Sequence, residues 1–205
     1  MVTSLPLQKK YNMLGLKSNT DKSWVIVAEN NLEQLLTDHA YAEQKAAGAA
    51  VSLIINYSEE TEMVQALSAH AIEEMEHFKM VHDIMVSRGM VLGRDQKSEY
   101  AKHLSKFFPK TKDRTEALIS RLLMAAIIEA RSCERFKVLS ENLNDSELAL
   151  FFKGLLESEA GHHTMFLKFA RKYQNRKIVD KKWDNFLTYE AEYMNTKGIL
   201  PLVHG

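Results

Sequence analysis

Glu74-Met75-Glu76-His77 sets a carboxylate and an imidazole three positions apart, and Glu159-Ala160-Gly161-His162 repeats the arrangement in the second half of the chain. In a helix, such a spacing makes both side chains leave one face about a turn apart, so each pair would show them to one neighbour. A single pair of this kind is common. These two are set apart by a further glutamate upstream of each, Glu43 before Glu74 and Glu129 before Glu159, at separations that differ by a single position. Both sit inside apolar stripes. Two helical hairpins of similar layout account for the spacing.

Working outward, helical periodicity runs over 31–56 through Leu32, Leu36, Ala40, Ala47, Ala50 and Ile54, with Glu43 in the stripe. A second helix is expected over 59–88. Ser58 is its candidate N-cap, Glu59, Glu60 and Glu62 fill its first turn, and Gly89 ends it. Its inward stripe collects Leu67, His70, Glu74, His77, Val81 and Ile84. Asp113-Arg114-Thr115-Glu116 has the form of a capping box and opens a third helix over 114–142, with Leu118, Leu122, Ala125, Glu129, Cys133 and Phe136 in line. Asn144 or Asp145 opens the fourth, over 146–173, through Phe152, Leu156, Glu159, His162 or His163, Phe166 and Phe169.

An additional helix is expected near 180–195, followed by an irregular tail from Gly198 to Gly205. Trp24-Val25-Ile26-Val27 reads as a short packed segment, and one short helix is expected around 97–107. No stretch has the period of a strand, so the chain is all-α. The link between the hairpins is long for a compact domain. A four-helix bundle with one long crossover explains it, because the link must travel the bundle's length. The whole chain, 1–205, is expected to form one domain.

Composition narrows the partners. Lysine and arginine together number 27, as do aspartate and glutamate, so no global field announces a nucleic acid. Cys133 is the one cysteine, which rules out an internal disulfide or a CxxC metal knuckle. No signal peptide and no membrane-spanning run are evident, and a cytoplasmic protein is expected.

Charged groups in core stripes need a reason, since a buried carboxylate without a partner costs several kcal/mol or becomes neutral. Four converging glutamates, Glu43, Glu74, Glu129 and Glu159, would repel unless cations lay between them. Two divalent ions balance four carboxylates, and His77 and His162 complete the set. Hard oxygens with imidazole nitrogen suit iron, with manganese or another divalent ion as an alternative. Such a set, one glutamate from each of two helices and Glu-x-x-His from the other two, is that of ferritin-like di-metal bundles. The competing reading is a run of salt bridges at the edge of the core. His163 is an i+4 alternative to His162. His70 and His39, one turn before Glu74 and Glu43, either orient a ligand or pack in the core. Asp38 either bonds a ligating histidine or lies on the surface. Glu73 and Glu76 point off the stripe, toward solvent or the back of a ligand, and Cys133 is expected to line the cavity.

Several segments resemble a known family, the tRNA 2-methylthio-isopentenyladenosine hydroxylases. Asp38-His39-Ala40-Tyr41-Ala42-Glu43-Gln44-Lys45-Ala46-Ala47 resembles their first helical motif, and Glu73-Glu74-Met75-Glu76-His77-Phe78 the second. Glu129-Ala130-Arg131-Ser132-Cys133-Glu134-Arg135-Phe136, the most family-specific stretch, resembles the third, and Glu159-Ala160-Gly161-His162-His163 the fourth. The resemblance covers about 30–175. Tyr41 stands where a smaller or more polar residue is expected, and the segment 1–25 carries no resemblance.

The resemblance implies a non-haem di-iron monooxygenase that hydroxylates the prenyl group of a hypermodified adenosine beside the anticodon of tRNA. It would use dioxygen and two external electrons. Glu43, Glu74, His77, Glu129, Glu159 and His162 match the family's ligand positions. No dinucleotide fingerprint occurs, so a separate reductase or ferredoxin-like donor is expected. Phosphate contacts need local basic surface, and two runs offer it. One holds Lys168, Arg171, Lys172, Arg176, Lys177, Lys181 and Lys182; the other holds Arg94, Lys97, Lys102, Lys106, Lys110, Lys112 and Arg114. Other di-iron oxidases, peroxidases and storage proteins use the same ligand set, and a metal-free helical RNA-binding module is the rival from another class.

Overall fold

The computed structural model describes residues 13–95, 99–196 and 200–204. The sequence readings that fall on 1–12, on 96–98 with Lys97, and on 197–199 and 205 lie outside the described residues. Seven α-helices follow in order: α1 Trp24–Asn30, α2 Leu32–Asn56, α3 Thr61–Ser87, α4 Glu99–Leu104, α5 Arg114–Asn142, α6 Ser146–Tyr173 and α7 Arg176–Thr196. No strand occurs among the described residues. The Trp24–Val27 segment is thus helical, burying Trp24, Val25 and Ala28.

Helix ends follow local chemistry, with two corrections. Asp113 accepts from Glu116 N at 3.0 Å and Asp145 accepts from Leu148 N at 3.0 Å, so both capping carboxylates act as their sequence suggests, and Asp145 rather than Asn144 opens α6. Gly89 takes φ +69 and donates to Val86 O while Met90 N donates to Met85 O, the paired closure that a left-handed glycine permits. Ser58 does not cap α3. The chain turns tightly at buried Tyr57, with Glu60 N bonding Tyr57 O, and the helix starts at Thr61 without a side-chain cap. α7 starts at Arg176, one turn before the expected 180, because the Asn175 side chain accepts from Lys177 N at 3.0 Å.

α2 with α3, and α5 with α6, pair as antiparallel hairpins. Arg114, at the start of α5, bonds Asn56 O and Glu59, both at 2.5 Å, and its own carbonyl accepts from Tyr57 Oη at 3.2 Å. α5 therefore begins at the end of the bundle where α3 begins. Arg88, at the end of α3, meets Asp145 at the start of α6, at 2.6 Å. The crossover between residues 88 and 113 consequently travels the full length of the bundle. This is the ferritin-like four-helix bundle that the spacing predicts, with α7 added.

Two apolar cores fill it. One, toward the α2–α3 turn, includes Leu53, Leu67, Leu122, Phe166 and Phe186; the other, toward the opposite end, includes Leu36, Val81, Met85, Phe136 and Phe152. Between them lies a layer of buried glutamate and histidine.

The tail is packed. Trp24 Nε1 donates to Leu200 O at 2.7 Å, Arg135 donates to Leu202 O, and Val203 N donates to Asp38 Oδ2 at 2.7 Å. Asp38 therefore fastens the tail, where the sequence offered a histidine partner or open surface. Val203 is fully buried.

Candidate metal centre

The layer between the cores holds all six residues singled out in the sequence. Their nearest ligand atoms form two groups, each within 4.8 Å: Glu43, Glu74, His77 and Glu159 in one, and His70, Glu74, Glu129 and His162 in the other. Glu74 belongs to both. It is fully buried, as is Glu159, and none of the others exceeds 6% exposure. Each arrives on a different helix or one turn along the same one, because an i, i+3 pair on α3 faces its counterpart on α6 across the bundle.

The donor atoms point inward. His77 Nδ1 lies 3.3 Å from Glu74 Oε2 and 3.8 Å from Glu159 Oε1, and His162 Nδ1 lies 2.9 Å from Glu74 Oε1. The back of His162 is held by Glu73, whose Oε2 is 3.1 Å from Nε2. His39 sits 2.5 Å from Glu43 Oε1 and so fixes that carboxylate. Carboxylate and imidazole partners behind a ligand set its orientation. His163 points elsewhere, with Nδ1 2.9 Å from Ala126 O. Cys133 is buried, its thiol 3.5 Å from Leu156 O, and Glu76 is exposed.

Several of these atoms have no hydrogen-bond partner although they are buried: Glu74 Oε1, both oxygens of Glu159, and His162 Nδ1. Orphaned acceptors in a core are costly, and here they converge. The carboxylates strain against one another. Burial, then the charges of Glu159 and Glu74, hold the Glu43 and Glu129 carboxyls well above their usual range. Burial and the charge of Glu74 push Glu159 up to about 7. Glu74 itself is opposed by burial, yet the imidazoles of His162 and His77 against its carboxylate, with His70 beside them, hold it low and ionised. His162, pulled down by burial, is carried up to about 9 by Glu74. Oxygen and imidazole donors arranged this way fit two hard divalent cations, with Glu74 reaching both positions.

An apolar cavity of about 440 Å³ reaches this layer, with His70 and Glu129 in its wall. Ala42, Ala46 and Ala49 make the space on α2; Met124, Ala125 and Ile128 face them from α5; and Tyr100, Ser105 and Phe108 cover it from the crossover. His204, from the tail, also lines it and sits 2.9 Å from Ser132 Oγ. Sequence reasoning missed this residue, because nothing in an irregular C-terminal run shows that it folds back on α5.

Phe108 and Ser120 are shared with a second, open groove of about 720 Å³, whose rim carries Lys177, Lys181 and Lys182. Three lysines of one basic run thus share this groove with Pro109 and Thr111, the chain neighbours of Lys110 in the other run. Many of their charges are already paired: Lys168 and Lys172 with Glu62, Arg171 and Arg176 with Asp180, Arg114 with Glu59, Lys182 with Glu116. Among the described residues, Lys110, Lys112, Lys177 and Lys181 enter no ion pair. None of the described helices is long and apolar enough to cross a membrane.

Known proteins share this architecture. "Protein 43 with aldehyde deformylating oxygenase activity from Synechococcus" superposes with a TM-score of 0.86 at 30% identity, covering 93% of this chain and 95% of its own. A tRNA 2-(methylsulfanyl)-N(6)-isopentenyladenosine(37) hydroxylase of Pseudomonas putida is 38% identical over 154 residues, 75% of this chain and 74% of that protein. The protein of the same name from Salmonella typhimurium is 30% identical over 201 residues, covering 74% and 73%. The family model described as tRNA-(MS[2]IO[6]A)-hydroxylase (MiaE) matches residues 6–205, reaching past the bundle at both ends and into the N-terminal segment where the sequence motifs carry no resemblance. On that match and those identities, the chain belongs to the MiaE family of tRNA hydroxylases.

Proposed function

We propose that this protein hydroxylates the isopentenyl group of 2-methylthio-isopentenyladenosine next to the anticodon of tRNA, using dioxygen at a pair of iron ions. One observation carries the reading beyond family membership. The apolar cavity ends on two residues of the polar layer and begins beside the groove rimmed by Lys177 and Lys181. A prenyl chain needs the first and a phosphate backbone the second.

Glu43, Glu74, His77, Glu129, Glu159 and His162 would hold the two irons. When bound, the pair supplies the activation of dioxygen that hydroxylating an aliphatic carbon requires. The chain's own contribution is positional. Alanines on α2 leave room for an aliphatic chain, and apolar walls exclude water from the reacting carbon. Glu73 and His39 keep His162 and Glu43 aimed inward. Lys110, Lys112, Lys177 and Lys181 would take phosphates, while Lys168, Arg171, Lys172, Arg176 and Arg114 are engaged with neighbouring acids and contribute less. A base splayed from a loop could then enter beside Phe108. Two electrons per turnover would come from a separate reductase or ferredoxin-like donor, and a tRNA substrate implies a cytoplasmic setting.

The test is turnover. Reduced, iron-loaded protein is incubated with prenylated tRNA and dioxygen, and the nucleosides are analysed by mass; a gain of one oxygen atom is expected. Oxidation of the iron with unchanged tRNA, together with loss of the formyl carbon from a long-chain aldehyde in a parallel incubation, would overturn the substrate assignment.

A further inference from the structure

His70 is unlike the other buried histidines of the bundle. His39 meets Glu43 and His163 meets Ala126 O, so each has a partner that explains its place. His70 is 2% exposed and neither ring nitrogen makes a hydrogen bond. Nδ1 is 3.1 Å from Glu74 Oε1, but not in the geometry of a hydrogen bond, and Nε2 is 3.8 Å from Glu129 Oε1. A buried imidazole with two orphaned nitrogens is costly unless something else binds it. Its ring is also held in place. His162 lies edge-on with centroids 4.3 Å apart, and Phe166 packs at 88° with centroids 5.1 Å apart.

We propose that His70 is a third imidazole ligand, joining Glu74, Glu129 and His162 around one of the two ions. The proposal rests on the dinuclear reading above and deepens it. The two ions then become inequivalent. The ion near His70 has two histidines and faces the apolar cavity, since His70 and Glu129 line it. The other has His77 alone and faces the opposite groove, which His77 lines together with Glu73 and Phe151. Extra imidazole on the cavity side places the more nitrogen-rich ion next to the reacting carbon.

The test is a cobalt(II) titration of the full-length metal-free protein, followed by visible absorption and by metal content after gel filtration. X-ray absorption of the loaded protein counts the coordinated imidazoles. Wild type, His70→Ala, the bulkier His70→Gln and the control His163→Gln are compared. Two ions per wild-type chain carry the dinuclear reading, and fewer than one would overturn it and this proposal together. With two bound, the proposal expects one site to weaken by about tenfold or more in both His70 variants. The other site should keep its affinity, and the imidazole count should fall from three to two. His163→Gln should change neither quantity. An unchanged imidazole count in His70→Gln would overturn the proposal, as would equal weakening of both sites, because His70 would then act only by packing.

Discussion

Helix α5 carries two buried charge clusters that differ in one respect. Glu129 belongs to the layer of glutamates and histidines in the bundle centre. Just beyond it, Arg131 faces away into a second cluster, where Nε and Nη2 bond Glu190 at 2.9 and 2.7 Å and Nη1 bonds Glu134 at 2.9 Å. Tyr100 donates to Glu190 at 3.0 Å, and Thr20 donates to Glu134 from both backbone and side chain. Arg135, stacked over Trp24 at 4.4 Å, brings a second guanidinium within the field of Glu134. Arg131, Glu134 and Tyr100 leave no polar atom orphaned, and Glu190 leaves Oε2. The Arg131 cluster is completed by the protein's own charges. The Glu129 cluster is four carboxylates whose strongest perturbing charges are one another and their histidines. Equal burial thus has opposite meaning: one cluster ties α5 to α4, α7 and the N-terminal segment, and the other is a donor set that cations would fit.

That contrast breaks most visibly at Arg131. Removing one partner of a buried ionic network leaves charges stranded and costs about 3–5 kcal/mol. Arg131→Met should therefore lower stability by that amount in chemical denaturation, with or without metal. The molecules that remain folded should still bind two ions. Loss of metal with unchanged stability would reverse the roles of the two clusters.

The opposite signature is expected at Glu159. Its carboxylate is destabilised in the metal-free chain, so Glu159→Gln should leave metal-free stability unchanged or raise it slightly at pH 8. Metal affinity should fall by roughly 100-fold or more, because a proposed ligand would be gone and not merely a partner behind one. Equilibrium dialysis against a chelator, paired with thermal melts, separates the two effects.

How much of this contrast is visible in a bare sequence depends on distance along the chain. Glu74 with His77, and Glu159 with His162, are legible because a helix turn joins each pair, and the matched upstream glutamates are legible because hairpins keep spacing. The long crossover is legible as an excess of residues. Arg131, Glu134 and Glu190 are not. All of 129–136 is buried, so this segment has no polar face to mark a direction. Its second cover comes from α4, α7 and a tail joined through contacts between distant positions, such as Ser132 with His204. The extra role of His70 is hidden for a different reason. Its spacing from Glu74 fits an ordinary core position equally well, and only the absence of a hydrogen bond distinguishes it.

Acidity offers a gentler separation. Glu43, Glu129 and Glu159 have raised carboxyl pKa values in the folded, metal-free chain. Between the ordinary glutamate value and the raised one, the unfolded chain has lost protons that the folded chain keeps, so stability falls as pH rises. His162, raised to about 9, works in the same direction, its contribution present below about 6.5 and lost as pH climbs toward 9. Glu74, held low, contributes in the opposite sense only in acid, where its stabilisation is lost as pH drops through its depressed value. Burial holds His39, His70, His163 and His204 neutral, which works the other way, but that gain is complete soon above the ordinary histidine value. The metal-free protein should therefore melt lower at pH 9 than at pH 7.5, by on the order of 5 °C. Loading with divalent metal should flatten or invert that slope. A metal-free melt that rises from pH 7.5 to pH 9 would contradict the strained layer.

The smallest expected effect lies where the layer touches its surroundings. Glu73 bonds a candidate ligand from outside, with 45% of its side chain exposed. Solvent screens such a group, so replacing it should leave stability unchanged, as for a surface pair. Its bond to His162 Nε2 nevertheless fixes which nitrogen faces inward and makes that nitrogen more basic. Glu73→Gln keeps the shape and a hydrogen bond but removes the charge, so metal affinity should weaken by about tenfold at most. Glu73→Ala should weaken it further, by freeing the ring. If the charge acted only by general attraction, Gln and Ala would be equivalent and added salt would reproduce both. A Gln intermediate between wild type and Ala, at constant ionic strength, would show that orientation and charge both count. Half-exposed Glu73 would then act as a support for His162, a part that the Arg131 cluster does not need because its groups hold one another.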